Sequence, residues 1–154
     1  MKFLRALASL LVVAGLVSGS LIATTSNADA ASKLRFTKLY ADSPGTDRGS
    51  NKSLNAEYVV VKNTGSSKIK IAGYKIKDKA GHTFVFPKGF VLKARRSVTV
   101  HTGRGTNTGS HLYWKQRWYV WNNTTDTAYL LNTRGSRLDT CTFPRKHSKA
   151  YVTC

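Results

Sequence analysis

The stretch that decides the fold lies near the middle of the chain and reads Lys68-Ile69-Lys70-Ile71-Ala72-Gly73-Tyr74-Lys75-Ile76-Lys77. Polar and apolar residues alternate here, with one interruption, so successive side chains should point to opposite faces of extended strands. We therefore expect the isoleucines and Tyr74 to face a hydrophobic core and the lysines to face solvent. Gly73 stands where a bend or bulge would fit.

Turn sequences flank this stretch and recur later in the chain. Asp78-Lys79-Ala80-Gly81 precedes His82–Phe86, and Asn132–Gly135 joins Thr127–Leu131 to Arg137–Thr142. Glycine at the end of such a turn can adopt a positive φ angle, which favours antiparallel hairpins. Short β-type segments recur at roughly 8–12 residues, and no helical pattern follows the N-terminal segment. The sequence thus predicts an all-β, immunoglobulin-like β-sandwich of about seven to nine antiparallel strands.

The N-terminus has the pattern of a signal peptide. Lys2 and Arg5 precede an apolar stretch at residues 7–17, and Ala28-Asp29-Ala30 fits the small-x-small preference of signal peptidase. We expect cleavage after Ala30 and a secreted, extracellular protein, either free or associated with the cell wall. An uncleaved membrane anchor is the alternative, although the apolar run is shorter than the roughly 20 residues of a membrane span.

This cleavage would divide the chain into three parts. Residues 1–30 form the signal peptide, residues 31–142 the β-sandwich domain and residues 143–154 a basic C-terminal tail. The two cysteines, Cys141 and Cys154, lie at the end of the chain, and an even pair in an oxidising compartment predicts a disulfide that ties the tail back. Two free thiols are the alternative.

The charge of the chain is strongly positive. It carries 25 Lys and Arg against 7 Asp and Glu, a net charge of +18, and removal of Lys2, Arg5 and Asp29 would leave 23 against 6, or +17. Such a charge attracts polyanions over a distance that salt screens. Nucleic acid, teichoic-acid-like wall polymers, anionic polysaccharide and anionic lipid are candidate partners. A secreted protein whose charge is incidental is the alternative.

The candidate polyanion-binding residues lie on the alternating strands, on a later loop and on the tail. They are Lys68, Lys70, Lys75, Lys77, Lys79, Lys93, Arg95, Arg96, Arg145, Lys146 and Lys149. Lysine and arginine can contact phosphate without reading a base sequence. A solvated lysine face is the other interpretation of this set.

An aromatic segment from Tyr113 to Trp121 is the second candidate for binding. Its rings could stack on sugars or bases beside basic side chains. We expect Trp114 and Trp118 to be exposed for this purpose, and Tyr119 and Trp121 to pack inside.

Patterns typical of enzymes and metal sites are weak. Ser67–Lys70 fits Ser-x-x-Lys, but it begins a strand where that chemistry needs a helix. Gly103-Arg104-Gly105 resembles the start of a dinucleotide-binding loop, but no helix follows. The four histidines form no close pair in sequence. We therefore predict no catalytic residue, no cofactor and no zinc site.

One acidic loop in the sequence is compatible with a calcium site. Asp42, Asp47 and Glu57, with Asn51 and Asn55, crowd one loop and its exit. Oxygen ligands on a flexible loop suit Ca²⁺. Asp and Asn also cap turns, which is the competing interpretation.

A series of motifs in the same order and spacing resembles the lamin tail domain family in its secreted bacterial form. These motifs are Asp42-Ser43-Pro44-Gly45-x-Asp47, Ser53–Val59, Lys62-Asn63-Thr64-Gly65, Ile71–Asp78, Gly81–Pro87, Val98–Gly105, Trp121-Asn122-Asn123, Thr127–Leu130 and Leu138-Asp139. The resemblance covers about residues 34 to 142 and implies an immunoglobulin-like fold without catalytic residues. Nucleic-acid, protein and envelope attachments have been suggested for relatives. The chain departs from the family at Thr124-Thr125-Asp126, where a Gly-Asp turn is usual, and in its tail.

Together these features favour a secreted, non-catalytic module that binds polyanions or the cell envelope. A structural or protein–protein interaction domain with incidental basic charge is the alternative, and a hydrolase comes third.

Overall fold

The computed structural model describes residues 33–145 and 148–154. The predicted signal peptide and the candidate residue Lys146 lie outside the described residues. Within them the secondary structure is eleven strands and one short helix: β1 (Leu34–Tyr40), α1 (Asn51–Ala56), β2 (Tyr58–Asn63), β3 (Ile69–Lys70), β4 (Lys75–Lys77), β5 (Thr83–Val85), β6 (Val91–Leu92), β7 (Ser97–His101), β8 (His111–Tyr113), β9 (Asp126–Leu131), β10 (Arg137–Phe143) and β11 (Tyr151–Thr153).

The strands form three sheets, which confirms the predicted all-β sandwich. Five strands pair in the order β11-β1-β2-β7-β8, four in the order β10-β9-β4-β5, and β3 pairs with β6 alone. The strand count exceeds seven to nine because several strands have only two or three residues. All pairs are antiparallel except β7 with β8, which run parallel.

The decisive stretch behaves as its alternation predicts. Ile69, Ile71 and Ile76 are buried, and Tyr74 packs partly buried against the same core. Gly73 has a φ of +76° and lies in the turn between β3 and β4. The turn therefore passes the chain from the two-stranded sheet to the four-stranded sheet, while both segments contribute side chains to one core.

The expectation of no helix is wrong at α1. The side chain of Ser50 caps this helix by accepting a hydrogen bond from the Ser53 amide at 3.2 Å, and Leu54 is buried beneath it. A helix of six residues carries too few apolar positions to show a helical period in sequence.

The C-terminal tail becomes part of the fold. β11 pairs with β1 at the edge of the five-stranded sheet, and Cys141 forms the predicted disulfide with Cys154, their Cα atoms 5.5 Å apart. Because Cys141 lies on β10 of the four-stranded sheet, this bond links the two large sheets.

Candidate polyanion interface

Strand pairing divides the predicted basic residues into two clusters. The first, named here the β3–β6 cluster, contains Lys68, Lys70, Lys93 and Arg96, all of them exposed. Ile69 pairs with Leu92 and Lys70 with Val91, so the antiparallel ladder places the start of β3, with Lys68 just before it, beside the loop that follows β6.

A buried amide holds this cluster together. The Nδ2 atom of Asn63 donates to the carbonyl oxygens of Ser67 at 2.8 Å, Leu92 at 3.2 Å and Lys93 at 3.2 Å. The residue before Lys68 and the backbone of Lys93 are therefore fixed to one side chain. Lys93 and Arg96 also line a shallow pocket.

The second cluster, named the β4–β10 cluster, contains Lys75, Lys77, Lys79 and Arg137. Leu131 of β9 pairs with Lys75 of β4 on one side and with Arg137 of β10 on the other. The three side chains therefore share one face of the four-stranded sheet. Lys77, Lys79 and Arg137 line another shallow pocket.

Arg137 is a residue that the sequence did not single out. Its guanidinium carbon lies 6.0 Å from the centroid of the Tyr129 ring. Only the register of the β9–β10 hairpin places it beside the lysines of β4, which lie about sixty residues earlier in the chain.

The remaining candidate basic residues lie elsewhere. Arg95 has a φ of +60°, and its Nη1 atom donates a hydrogen bond to the Thr64 carbonyl oxygen at 2.6 Å. Part of its guanidinium group is therefore engaged in a contact with the backbone after β2. Arg145 and Lys149 are exposed on the tail. Lys68 and Lys70, at the β3 strand, thus belong to a different sheet from Lys75 and Lys77 of β4.

Three acidic side chains are buried, and one of them, Asp78, lines the same shallow pocket as Lys77, Lys79 and Arg137. The Asp78 carboxylate accepts hydrogen bonds from the amides of Gly81 at 2.6 Å and His82 at 2.7 Å and contacts the His82 ring. Asp126 accepts from three backbone amides, including that of Thr127 at 2.7 Å. Glu57 is the third and is fully buried.

Glu57 holds the loop between β8 and β9. Its Oε1 accepts from the Trp121 amide at 2.7 Å and its Oε2 from the Val120 amide at 3.0 Å. Desolvation by burial raises the pKa of this carboxyl group from 4.5 to about 7, although its hydrogen bonds lower it.

The other three acidic side chains of the described residues are also engaged. Asp139 accepts from the Phe36 amide at 2.7 Å, and the Asn123 amide group donates to Asp42 at 3.0 Å and to Asp47 at 2.9 Å. Within residues 33–145 and 148–154, no cation of either cluster forms an ion pair with a carboxylate. The cations of both clusters are therefore not neutralised by a carboxylate of the described residues.

These contacts also use the side chains considered for calcium. Asn51 and Asn55 both donate to the Arg104 carbonyl oxygen, at 2.9 Å and 3.0 Å, and Glu57 is buried against backbone amides. Among the described residues, no three His, Cys, Asp or Glu side chains converge where a metal ion could sit.

The aromatic segment differs in part from its prediction. Trp118 is exposed over 61% of its surface, as predicted, but Trp114 is buried at 8% and its predicted exposure is wrong. Its amide donates to the His101 carbonyl oxygen at 2.8 Å, and its ring packs against Phe84 and Trp121. Trp121 is buried and Tyr119 partly buried, in line with the expectation that they pack inside.

A row of rings that no sequence signal indicated crosses the five-stranded sheet. One residue comes from each strand, in the order Tyr151, Tyr40, Tyr58, His101 and Tyr113. Successive ring centroids lie 5.7, 5.2, 5.8 and 5.1 Å apart. Neighbouring rings pack against one another, so these cross-strand contacts stabilise the pairing of the five strands.

The parallel pair β7–β8 also brings two histidines together. His101 Nε2 lies 3.0 Å from His111 Nδ1, although ten residues separate them. Sequence spacing alone suggested no close pair, because the pairing depends on how the 102–110 loop returns the chain. Burial lowers the pKa of His101 more than its bond to the Asn55 carbonyl oxygen raises it.

The sheets define a small, immunoglobulin-like β-sandwich module. The chain belongs to the lamin tail domain family, whose sequence model matches residues 27–145. It is a non-enzymatic family of immunoglobulin-like domains that act as binding or interaction modules. No curated protein matches the chain. In the part of the chain that the structure describes, no helix is long and apolar enough to span a membrane.

Proposed function

We propose that this domain is a secreted module that binds a polyanion through the β3–β6 and β4–β10 clusters. The observation that carries the proposal is the collection of eight cations in two clusters without a carboxylate partner among the described residues. Like charges held close repel one another, and a bound polyanion relieves that repulsion.

The side chains favour attraction without sequence recognition. Six of the eight cations are lysines, which act as hydrated point charges, and only Arg96 and Arg137 can make bidentate contacts. Such a surface suits a repeating polyanion such as a wall polymer, an anionic polysaccharide or the phosphate backbone of a nucleic acid. The Cys141–Cys154 disulfide and the signal-peptide pattern support a role outside the cell.

Three matched triple variants test the proposal. We expect K68Q/K70Q/K93Q and K75Q/K77Q/K79Q each to weaken binding to heparin and duplex DNA several-fold. They should also flatten the salt dependence, by about 0.9 in the log–log slope for each phosphate of the duplex that the variant no longer neutralises. The control variant, R35Q/K88Q/R104Q, removes three exposed charges outside both clusters and should bind almost as the wild type does.

Two results would change the proposal. If R145Q/K146Q/K149Q alone abolishes binding, the site lies on the tail. If the wild-type protein binds no polyanion at moderate salt, the protein–protein interaction domain with incidental charge becomes the better interpretation.

A further inference from the structure

Trp118 is an aromatic side chain that the fold leaves in solvent. It lies in the loop between β8 and β9, and 61% of its surface is exposed. Among the described residues, no other Phe, Tyr or Trp side chain falls in the exposed class. Tryptophan combines a large apolar face with a polar N–H group, and it is enriched at interaction surfaces.

The surrounding backbone holds this ring in place. The edge of its six-membered ring lies so close to Gly49 that a Cβ atom there would be 2.5 Å from Cζ3 and 2.9 Å from Cε3. Gly49 also has a φ of +68°, a conformation that other residues rarely adopt. The Gly49 amide donates to the Tyr119 hydroxyl at 3.3 Å, and that hydroxyl bonds to Ser53 Oγ at 2.7 Å.

The loop that carries Trp118 is anchored on both sides. The Lys115 amide donates to the Gly103 carbonyl oxygen at 2.9 Å, and the Gln116 amide to that of Thr102 at 2.9 Å. On the other side, the Val120 amide donates to Glu57 at 3.0 Å. The ring is therefore presented by a fixed backbone, which reduces the entropic cost of binding a ligand.

Basic residues adjoin both Trp118 and its backbone contact Gly49 in the chain. Arg117 precedes Trp118 in the chain, and Arg48 precedes Gly49, whose backbone the indole contacts; both arginine side chains are exposed. Lys52, which follows Gly49 by three residues, and Lys115, which precedes Trp118 by three, are also exposed. The planar guanidinium groups of these arginines can bind a carboxylate or sulfate with two hydrogen bonds.

We infer that Trp118, with Arg48 and Arg117, forms a subsite for one sugar ring of an acidic polysaccharide. This inference rests on the proposed function and names the class of its polyanion. The apolar C–H face of a pyranose ring packs on the indole, while the arginines bind its acidic substituent. Sites for single-stranded nucleic acid align several stacking side chains along a basic groove. A single exposed ring therefore favours the polysaccharide.

The test compares a polyanion built from sugar rings with one that has none. Wild-type protein and the W118A, W118F and R48Q/R117Q variants would be titrated with heparin, inorganic polyphosphate and oligothymidylate at one ionic strength. We expect W118A to weaken heparin binding about fivefold to tenfold, W118F to retain most of it, and polyphosphate binding to stay unchanged. R48Q/R117Q should weaken heparin binding more than polyphosphate binding.

Tryptophan fluorescence supplies a second measurement. Trp114 and Trp121 are buried, so quenching by acrylamide reports mainly on Trp118. Heparin should protect it from quenching, whereas polyphosphate should not.

The outcomes separate the two proposals. Heparin binding that does not depend on Trp118 overturns the subsite and leaves polyanion binding intact. If W118A abolishes oligothymidylate binding but not heparin binding, single-stranded nucleic acid is the ligand, which also overturns the subsite. Absence of binding to all three probes by the wild-type protein rejects the proposed function and the subsite together.

Discussion

Replacing Glu57 with Gln should flatten the pH dependence of the free energy of unfolding. The pKa of this carboxyl group is about 7 in the folded protein against 4.5 for an exposed glutamate. A raised pKa means that the folded state prefers the protonated form. The stabilisation is therefore complete below pH 4.5 and is lost as the pH rises through 7.

The magnitude follows from the difference between the two pKa values. Each pKa unit corresponds to about 1.4 kcal/mol, so this group should remove about 3 kcal/mol of stability between pH 4.5 and pH 8. Gln does not titrate in this range. It also points an N–H group toward a backbone amide whose hydrogen bond Glu57 now accepts, which costs about 1–3 kcal/mol. E57Q should thus be less stable than the wild type at pH 4.5 and should match or exceed its stability near pH 8.

Urea unfolding of the oxidised protein at several pH values between 4.5 and 8.5 measures this difference. His101 acts in the opposite direction, because its lowered pKa makes the protein lose stability as the pH falls. Since both proteins contain His101, its contribution cancels when they are compared. A wild-type advantage that stays constant with pH, or grows toward pH 8, would refute the argument that desolvation dominates at Glu57.

Three further predictions concern the disulfide, the tryptophans and export. Replacing Cys141 and Cys154 with Ser should lower the free energy of unfolding by about 3 kcal/mol, and unchanged urea unfolding would contradict a stabilising role. Trp114→Ala should cost about 3–5 kcal/mol because it empties a core site, whereas Trp118→Ala should stay within about 0.5 kcal/mol in the same assay. The exported protein should begin at Ala31, as intact mass would show, and retention of residues 1–30 would reject the predicted cleavage.

Local periodicity made the core of the central stretch predictable. Alternation along one strand depends only on the extended backbone, so Ile69, Ile71 and Ile76 could be assigned to the interior before any pairing was known. The Cys141–Cys154 disulfide was also predictable from the sequence, because the chain has two cysteines and they allow one pairing.

Patterns that depend on where a strand ends were less predictable. Trp114 directly follows β8 and turns inward, because its amide bonds to His101 and its ring fills space beside Trp121. Trp118 follows four residues later and remains outside. No alternation rule separates the two, since an irregular loop has no fixed period.

By itself the sequence determined the fold class, the positive charge and the outward direction of the lysines, because composition and short-range periodicity are properties of the chain. Only the tertiary structure decided which cations become neighbours. β3 pairs with β6, and β4 is joined through β9 to β10, so residues far apart in sequence form two clusters, with Arg137 in one of them. The acidic side chains accept hydrogen bonds, mostly from backbone amides, at positions that folding creates. Strand register and burial are long-range properties, so the uncompensated basic surface exists only once the sheets have assembled.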